Sequence, residues 1–185
     1  EGKRYMWIFD ALDGVANFQA GIPIWGMSLA LLENYWPLFG IYYMPVTGDL
    51  FHARAGGKAF RGNEEIRVSP QTHMDDESLL LVYSRFHHHF RSLFPGKMRD
   101  MGCTGAHLCY VAIGRAEAAL ISNETYQGLA ASSIIMEAAG GGIYRMDGSL
   151  LALSDYLDGR RIGEPLLAAT RGTYQQVLAS LKEAS

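Results

Sequence analysis

Residues 7–18 of the chain read WIFDALDGVANF, and this stretch decides the expected fold and locates the candidate site. It begins as an apolar strand that ends on Asp10, and a second carboxylate, Asp13, follows three residues later. A glycine turn then leads towards a short helix. Two carboxylates at a strand end, beside the N–H groups of a turn, suit a hard cation and a phosphate. The simpler alternative is that Asp10 ends the strand and Asp13 caps the helix, because Asp is common at both places.

Composition limits the class of protein. The 185 residues are 49% hydrophobic and 19% charged, which is typical of a globular chain with a real core. A net charge of −3 argues against general affinity for nucleic acid or for an anionic membrane. Cys103 and Cys109 form no Cys-x-x-Cys pair, which argues against a disulfide framework or a zinc ribbon. No apolar run reaches a membrane span of roughly 18 residues, so we expect a reducing cytoplasm.

The first part of the chain is predicted to form an antiparallel meander. After the opening strand, tight turns separate the apolar stretches 24–32, 36–44, 50–55, 59–61 and 65–68. Residues 69–77 are polar and include Pro70, which indicates a boundary. We therefore expect one subdomain over residues 1–75 and a second over residues 76–185.

The second part alternates between strand and helix patterns. Strands are predicted at 78–83, 97–101, 116–121, 143–145 and 166–170, and helices at 86–94, 104–114, 129–139 and 173–182. This alternation predicts an α/β protein with layered sheets and helices. The aromatic residues Trp25, Trp36, Tyr42 and Tyr43 are expected in a sheet core, because no basic groove accompanies them as a base-stacking platform would require.

Four segments, in order along the chain, resemble one protein family. Residues 7–18 resemble W-I-x-D-P-[IL]-D-G-T-T-N-F, the signature of the inositol monophosphatase family. Residues 40–43 and 53–60 are similar to its G-V-V-Y and A-x-x-G-x-G-A-F stretches, and residues 109–114 resemble its C-[LY]-V-A-x-G helix. Residues 129–141 resemble its W-D-[VL]-A-A-G…A-G-G element. On these segments the chain is identified as a member of the family.

The resemblance implies a fold and a chemistry. The fold is the layered α/β/α/β/α sandwich of the inositol monophosphatase and fructose bisphosphatase type. The chain begins with Glu1 almost inside a strand, so we expect an N-terminally truncated version, the later part of a longer protein. The implied activity is that of a magnesium-dependent, lithium-sensitive phosphatase acting on a small phosphorylated polyol or sugar, such as an inositol phosphate. Family members commonly form homodimers, so a homodimer is also an expectation.

The matched positions imply three groups of site residues. These are Mg²⁺ ligands (Asp10, the Leu12 carbonyl and Asp13), phosphate-binding N–H groups (Gly14 and Val15) and contacts to the polyol (Gly102, Cys103 and Thr104).

Several positions depart from the family pattern. Val15 replaces a Thr that orients the attacking water, and a Val side chain forms no hydrogen bond. Gly128 replaces the third metal-binding Asp, and Ile121 replaces a substrate-binding Glu, with Glu124 near but unaligned. The family's upstream metal-binding Glu falls outside this chain. We therefore expect no intact catalytic set, partial Mg²⁺ occupancy and a lowered hydrolytic rate. The alternative is a non-catalytic relative that binds a ligand or a protein.

Two sequence patterns that contain histidine could suggest a metal site, but each has a simpler interpretation. His87, His88 and His89 are expected on an exposed helix face. Cys103 and His107 lie one helical turn apart and could pair on a metal, but ordinary packing is the simpler interpretation.

Overall fold

The protein begins with a run of strands and continues with mixed strands and helices. The structure is a computed structural model, and it describes residue 2 and residues 4–184. The strands are β1 (Tyr5–Asp13), β2 (Gly26–Glu33), β3 (Trp36–Met44), β4 (Asp49–Arg54), β5 (Ala59–Arg61), β6 (Glu64–Ile66), β7 (Leu79–Leu81), β8 (Phe90–Ser92), β9 (Lys97–Arg99), β10 (Ala118–Ile121), β11 (Gly141–Arg145), β12 (Leu166–Thr170) and β13 (Leu181–Glu183). The α-helices are α1 (Val15–Ala20), α2 (Phe86–His89), α3 (Thr104–Ala112), α4 (Tyr126–Ala138) and α5 (Tyr174–Ala179).

The first six strands form an antiparallel meander in the order β1-β2-β3-β4-β5-β6, as predicted. Asn34 and Tyr35 connect β2 to β3 with φ values of 50° and 70°. Two consecutive positive φ values are typical of the tight turns that match the twist of a hairpin. Alternate residues of β2, among them Ala30 and Leu32, are buried, so one face of this sheet packs on the core.

The second sheet has the order β11-β12-β10-β7-β9. Its strands β10, β7 and β9 run parallel, whereas β11, β12 and β10 pair antiparallel. Leu80 and Leu81 of β7 face opposite sides and are both buried. This double burial explains why the strand is a continuous apolar run in the sequence.

Helices α3 and α4 form a layer between the two sheets. Helix α4 contacts β3 and β11, and α3 contacts β10. One hydrophobic cluster joins Leu32, Leu108, Ile135 and Leu166 through this layer, and a second cluster covers the other face of the five-stranded sheet with α2 and α5. The predicted layered α/β fold is confirmed. The division at residue 75 stays a prediction.

Two predicted helices are shorter than expected. The prediction of helix over 86–94 is wrong after His89, and that of helix over 173–182 is wrong after Ala179. In both places the chain turns into a strand, and β8 pairs antiparallel with β13. This long-range pairing satisfies backbone groups that a continued helix would otherwise have bonded internally. His87, His88 and His89 are exposed, as predicted.

The prediction of a sheet core is wrong for three of the four aromatic residues. Trp36 is 70% exposed, because it is the first residue of β3. Trp25, which precedes β2, and Tyr43 are only half-buried and lie outside the two hydrophobic clusters. Tyr42, farther along β3, is buried as expected. No helix among the described residues is both long and apolar enough to cross a lipid bilayer.

Candidate functional site

Asp10 and Asp13 lie on either side of a bulge in β1. Asp10 pairs with Ser28 and Asp13 with Gly26, so the register with β2 shifts between the two aspartates. The strand therefore ends at Asp13, and the prediction that it ends on Asp10 is wrong. A bulge takes a residue out of the regular ladder and re-aims its neighbours. Leu12 lies inside this irregularity, which is where a backbone carbonyl can serve as a ligand.

The carboxylate of Asp13 is held by hydrogen bonds from other parts of the chain. Its Oδ2 accepts hydrogen bonds from Gly105 N–H at 2.6 Å, from the Tyr42 hydroxyl at 2.9 Å and from the Cys103 thiol at 3.3 Å. The N-cap of α1 is Gly14, and no side chain caps that helix. The alternative that Asp13 is a helix cap is therefore wrong.

Asp10 is half-buried and carries a charge that its surroundings disfavour. Burial is the larger cause of its raised pKa, and the nearby charge of Asp13 adds to it. The Leu12 N–H donates to the Asp10 carboxylate and opposes both effects. The charges of the two aspartates thus repel each other, and a bound cation relieves this repulsion.

The turn after Asp13 requires glycine. Gly14 has a φ of 84°, and a Cβ there would lie 3.1 Å from the Ile24 carbonyl oxygen and 3.2 Å from the Cys103 sulfur. Val15 begins α1 and is 50% exposed. The buried Asn17 donates to the Ile24 and Met101 carbonyls at 2.7 Å each, which fixes α1 against the segment that leads to residues 102–104.

The structure places Gly102, Cys103 and Thr104 beside Asp13 at the start of α3. The thiol of Cys103 is buried between Asp13 and Tyr42, and burial raises its pKa to about 12. It is therefore a neutral thiol that supports Asp13, rather than a side chain that faces solvent. His107 accepts a hydrogen bond from Met101 N–H, which fits the prediction of ordinary packing.

Oxygen atoms border the position that a side chain on Gly128 would occupy, which is called the Gly128 space below. It lies in the first turn of α4, which begins three residues earlier than predicted because the Thr125 side chain caps it by accepting from Gly128 N–H. A Cβ at Gly128 would lie 3.4 Å from Glu124 Oε2, 3.5 Å from Thr125 Oγ1 and 3.8 Å from Asp10 Oδ2.

Sequence reasoning left Glu124 out of the site. The Thr104 hydroxyl donates to Glu124 Oε1 at 2.6 Å, so this hydroxyl is committed to a carboxylate. Burial raises the pKa of Glu124 to about 7, although the bond from Thr104 opposes the rise. The signal that could have found Glu124 is its place after the carboxyl end of β10, where open α/β sheets bind ligands.

A polar cavity of about 390 Å³ adjoins these residues. Its lining includes Arg85, His89 and Asp100 besides Gly102 and Thr104. The volume lies in the usual range for small-molecule pockets. A cavity of this size and polarity suits a hydroxylated small molecule.

The donor chemistry at the site is that of a hard cation. Within residues 2 and 4–184, no three side chains of His, Cys, Asp or Glu already surround one point. The atoms that border the Gly128 space are nevertheless oxygens of two carboxylates and a hydroxyl. Hard divalent cations take oxygen ligands of this kind, and soft metals prefer sulfur or imidazole. The residues present therefore suit Mg²⁺ better than a soft metal.

Solved structures share the fold. An inositol monophosphatase from Anabaena superposes with a TM-score of 0.79 at 24% sequence identity, covering 95% of this chain and 74% of that one. At this identity the likeness supports the fold alone.

Sequence comparisons define the family. An inositol-1-monophosphatase of Caulobacter vibrioides is 30% identical over 195 residues, which cover 98% of this chain and 73% of that protein. An inositol-1-monophosphatase of Mesorhizobium japonicum is 29% identical over 158 residues, and the match covers 80% of this chain but only 59% of its relative's length. The model of the inositol monophosphatase family matches residues 1–184. The chain belongs to the inositol monophosphatase family.

Proposed function

We propose that this protein is a magnesium-dependent phosphatase of a small phosphate monoester, similar to an inositol phosphate, with a lowered hydrolytic rate. The observation that carries the proposal is the pair Asp10 and Asp13 at the end of β1, beside the glycine turn and the oxygen-lined space at Gly128. Family membership supports the same chemistry.

The aspartates and a backbone carbonyl would hold the metal. Asp10, Asp13 and the Leu12 carbonyl are the proposed ligands, and a cation between the two carboxylates relieves the repulsion that raises the pKa of Asp10. A bound Mg²⁺ would supply Lewis-acid stabilisation of the phosphate charge and favour deprotonation of an attacking water.

The neighbouring segments would bind the substrate. The N–H groups of Gly14 and Val15 follow Asp13 directly and are the proposed phosphate donors. The polyol is proposed to lie along Gly102, Cys103 and Thr104, with its hydroxyl groups in the adjoining polar cavity. Because the Cys103 thiol is buried, its contribution there is limited to the backbone.

Two absent side chains account for the lowered rate. Val15 has no hydroxyl with which to orient a water, and Gly128 has no carboxylate. The same two positions favour a second candidate, a non-catalytic member that binds a ligand or a protein.

Phosphate release by the full-length protein separates the two candidates. Inositol monophosphate and other small phosphate monoesters are supplied with Mg²⁺, without Mg²⁺, and with Mg²⁺ plus Li⁺. The proposal predicts slow release that requires Mg²⁺ and is inhibited by Li⁺. Absence of Mg²⁺-dependent release from every substrate would favour the non-catalytic candidate.

A further inference from the structure

The carboxylate of Glu124 lies where the helix α4 lacks one. Its Oε2 is 3.4 Å from the position that a Cβ on Gly128 would occupy, and Asp10 Oδ2 is 3.8 Å from the same position. Any side chain on Gly128 would therefore project into a space that Glu124 and Asp10 already border. A Cβ at this position would make ordinary van der Waals contact with the three nearest atoms.

Hydrogen bonds fix both the side chain and the backbone of Glu124. Its Oε1 accepts the hydrogen bond from Thr104 Oγ1, so Oε2 is the oxygen left towards the Gly128 space. Its backbone carbonyl accepts from Ile162 N–H at 2.8 Å. Two contacts on one residue, one to the side chain and one to the backbone, pre-organise the carboxylate.

The turn before Glu124 also helps to fix the position of this residue. Asn123 has a φ of 61°, a left-handed conformation that asparagine adopts more readily than most residues other than glycine. Arg161 Nη1 donates to the Asn123 carbonyl at 2.7 Å and holds this turn. The chain therefore leaves β10 in a left-handed turn that Arg161 holds and that directly precedes Glu124.

We infer that Glu124 supplies the third metal-binding carboxylate of this chain, in place of the side chain absent at Gly128. The inference rests on the proposed function, because it assigns a ligand to the metal proposed there. The third carboxylate of this chain would then come from a residue four positions before Gly128, but it would lie in the same space beside Asp10. Thr104 is then a positioning residue that orients Glu124, in addition to its proposed place beside the polyol.

Metal binding tests the inference apart from activity. Mn²⁺, a paramagnetic stand-in for Mg²⁺, is titrated into the full-length protein and free Mn²⁺ is measured by electron paramagnetic resonance. Glu124→Gln keeps the size of the side chain and the acceptor for Thr104 but removes the charge. Glu137→Gln, an exposed position on α4, is the matched control. Circular dichroism checks that each variant is folded.

We expect Glu124→Gln to weaken Mn²⁺ binding by at least about tenfold, since even groups that only support a ligand cost this much when removed. Glu137→Gln should bind as the wild type does. Adding Gly128→Asp to Glu124→Gln should restore most of the affinity, because it returns a carboxylate to the same space.

Three outcomes would overturn the inference. The first is wild-type affinity in Glu124→Gln, even if substrate binding is weaker. The second is no rescue by Gly128→Asp in a folded double variant, and the third is no Mn²⁺ binding by the wild-type protein. A different pattern would show that the proposed function fails while the inference holds. In that pattern the wild type binds Mn²⁺ and Glu124→Gln binds it more weakly, but the wild type releases no phosphate.

Discussion

The backbone N–H of Gly105 donates a 2.6 Å hydrogen bond to Asp13 Oδ2, which joins the first turn of α3 to the end of β1 across 92 residues of sequence. The Tyr42 hydroxyl donates to the same oxygen from the middle of the meander. Asp13 is thus fixed by two other elements of the fold, β3 and α3, before any ligand binds. A carboxylate held in this way is pre-organised, and it also joins the six-stranded sheet to helix α3.

This arrangement predicts unequal costs for removing the two aspartates. Asp13→Ala leaves the Gly105 N–H and the Tyr42 hydroxyl without their acceptor, and each such group costs about 1–3 kcal/mol. We expect a loss of about 2–4 kcal/mol in the free energy of unfolding, measured by urea denaturation without metal. Asp10→Ala should cost less, because the Asp10 carboxylate accepts from the neighbouring Leu12 N–H, whereas Asp13 accepts from groups far away in the sequence. Both substitutions remove the repulsion between the two charges. Equal losses would contradict the assigned roles.

Restoring the two missing side chains should raise the hydrolytic rate. Val15→Thr returns a hydroxyl at the start of α1, and Gly128→Asp returns a carboxylate beside Asp10. Glu124→Gln is combined with them, so that the space beside Gly128 does not hold two neighbouring carboxylates. We expect the triple variant to release phosphate at least about tenfold faster than the wild type with Mg²⁺. Val15→Ile in place of Val15→Thr is the control, since it is branched but has no hydroxyl. No gain in the folded triple variant would mean that other parts of the pocket have diverged.

Cys103 should be inert in the native protein. Its thiol is buried and hydrogen-bonded with Tyr42, and its pKa is raised to about 12, so almost no thiolate is present at neutral pH. Cys109 is buried as well, and burial raises its pKa. Alkylation followed by peptide mass spectrometry should show both residues unmodified in the native state and modified in urea. Fast native labelling of Cys103 would contradict its placement.

His107 should make the protein less stable in mild acid. Burial lowers its pKa below the ordinary value of 6.5, while the charges of Asp100 and Asp13 oppose the shift. The unfolded state therefore takes up this proton first as the pH falls, so the contribution of His107 to stability is present above 6.5 and is lost below it. Protonation also removes the acceptor that His107 Nε2 offers to Met101 N–H.

The variant His107→Gln isolates this effect, since it keeps an acceptor but does not titrate. Between about pH 7 and about pH 5, the free energy of unfolding should fall more steeply for the wild type than for His107→Gln. Parallel curves would show that the pH dependence comes from other groups.

The local parts of the fold are predictable from sequence. The meander follows from turn residues such as Asn34 and from alternation along β2, because each strand pairs with its neighbour in sequence. The β8–β13 pair is not predictable in this way: Ser92 and Leu181 are partners only in the folded chain, and both segments have helical patterns.

The candidate site shows the same limit. Asp10, Asp13 and Gly14 are found because one short stretch contains all three. Glu124 is missed, because its position depends on a left-handed residue at Asn123 and on a backbone bond from Ile162. Neither feature is visible in a comparison made position by position along the sequence.

The most direct test of the proposed function is phosphate release from inositol monophosphate by the full-length wild-type protein, compared with its Asp10→Asn variant. We predict slow release by the wild type that requires Mg²⁺ and none above background in Asp10→Asn. Absence of Mg²⁺-dependent release in the wild type, or equal release by both proteins, would contradict the proposal that Asp10 holds a catalytic metal.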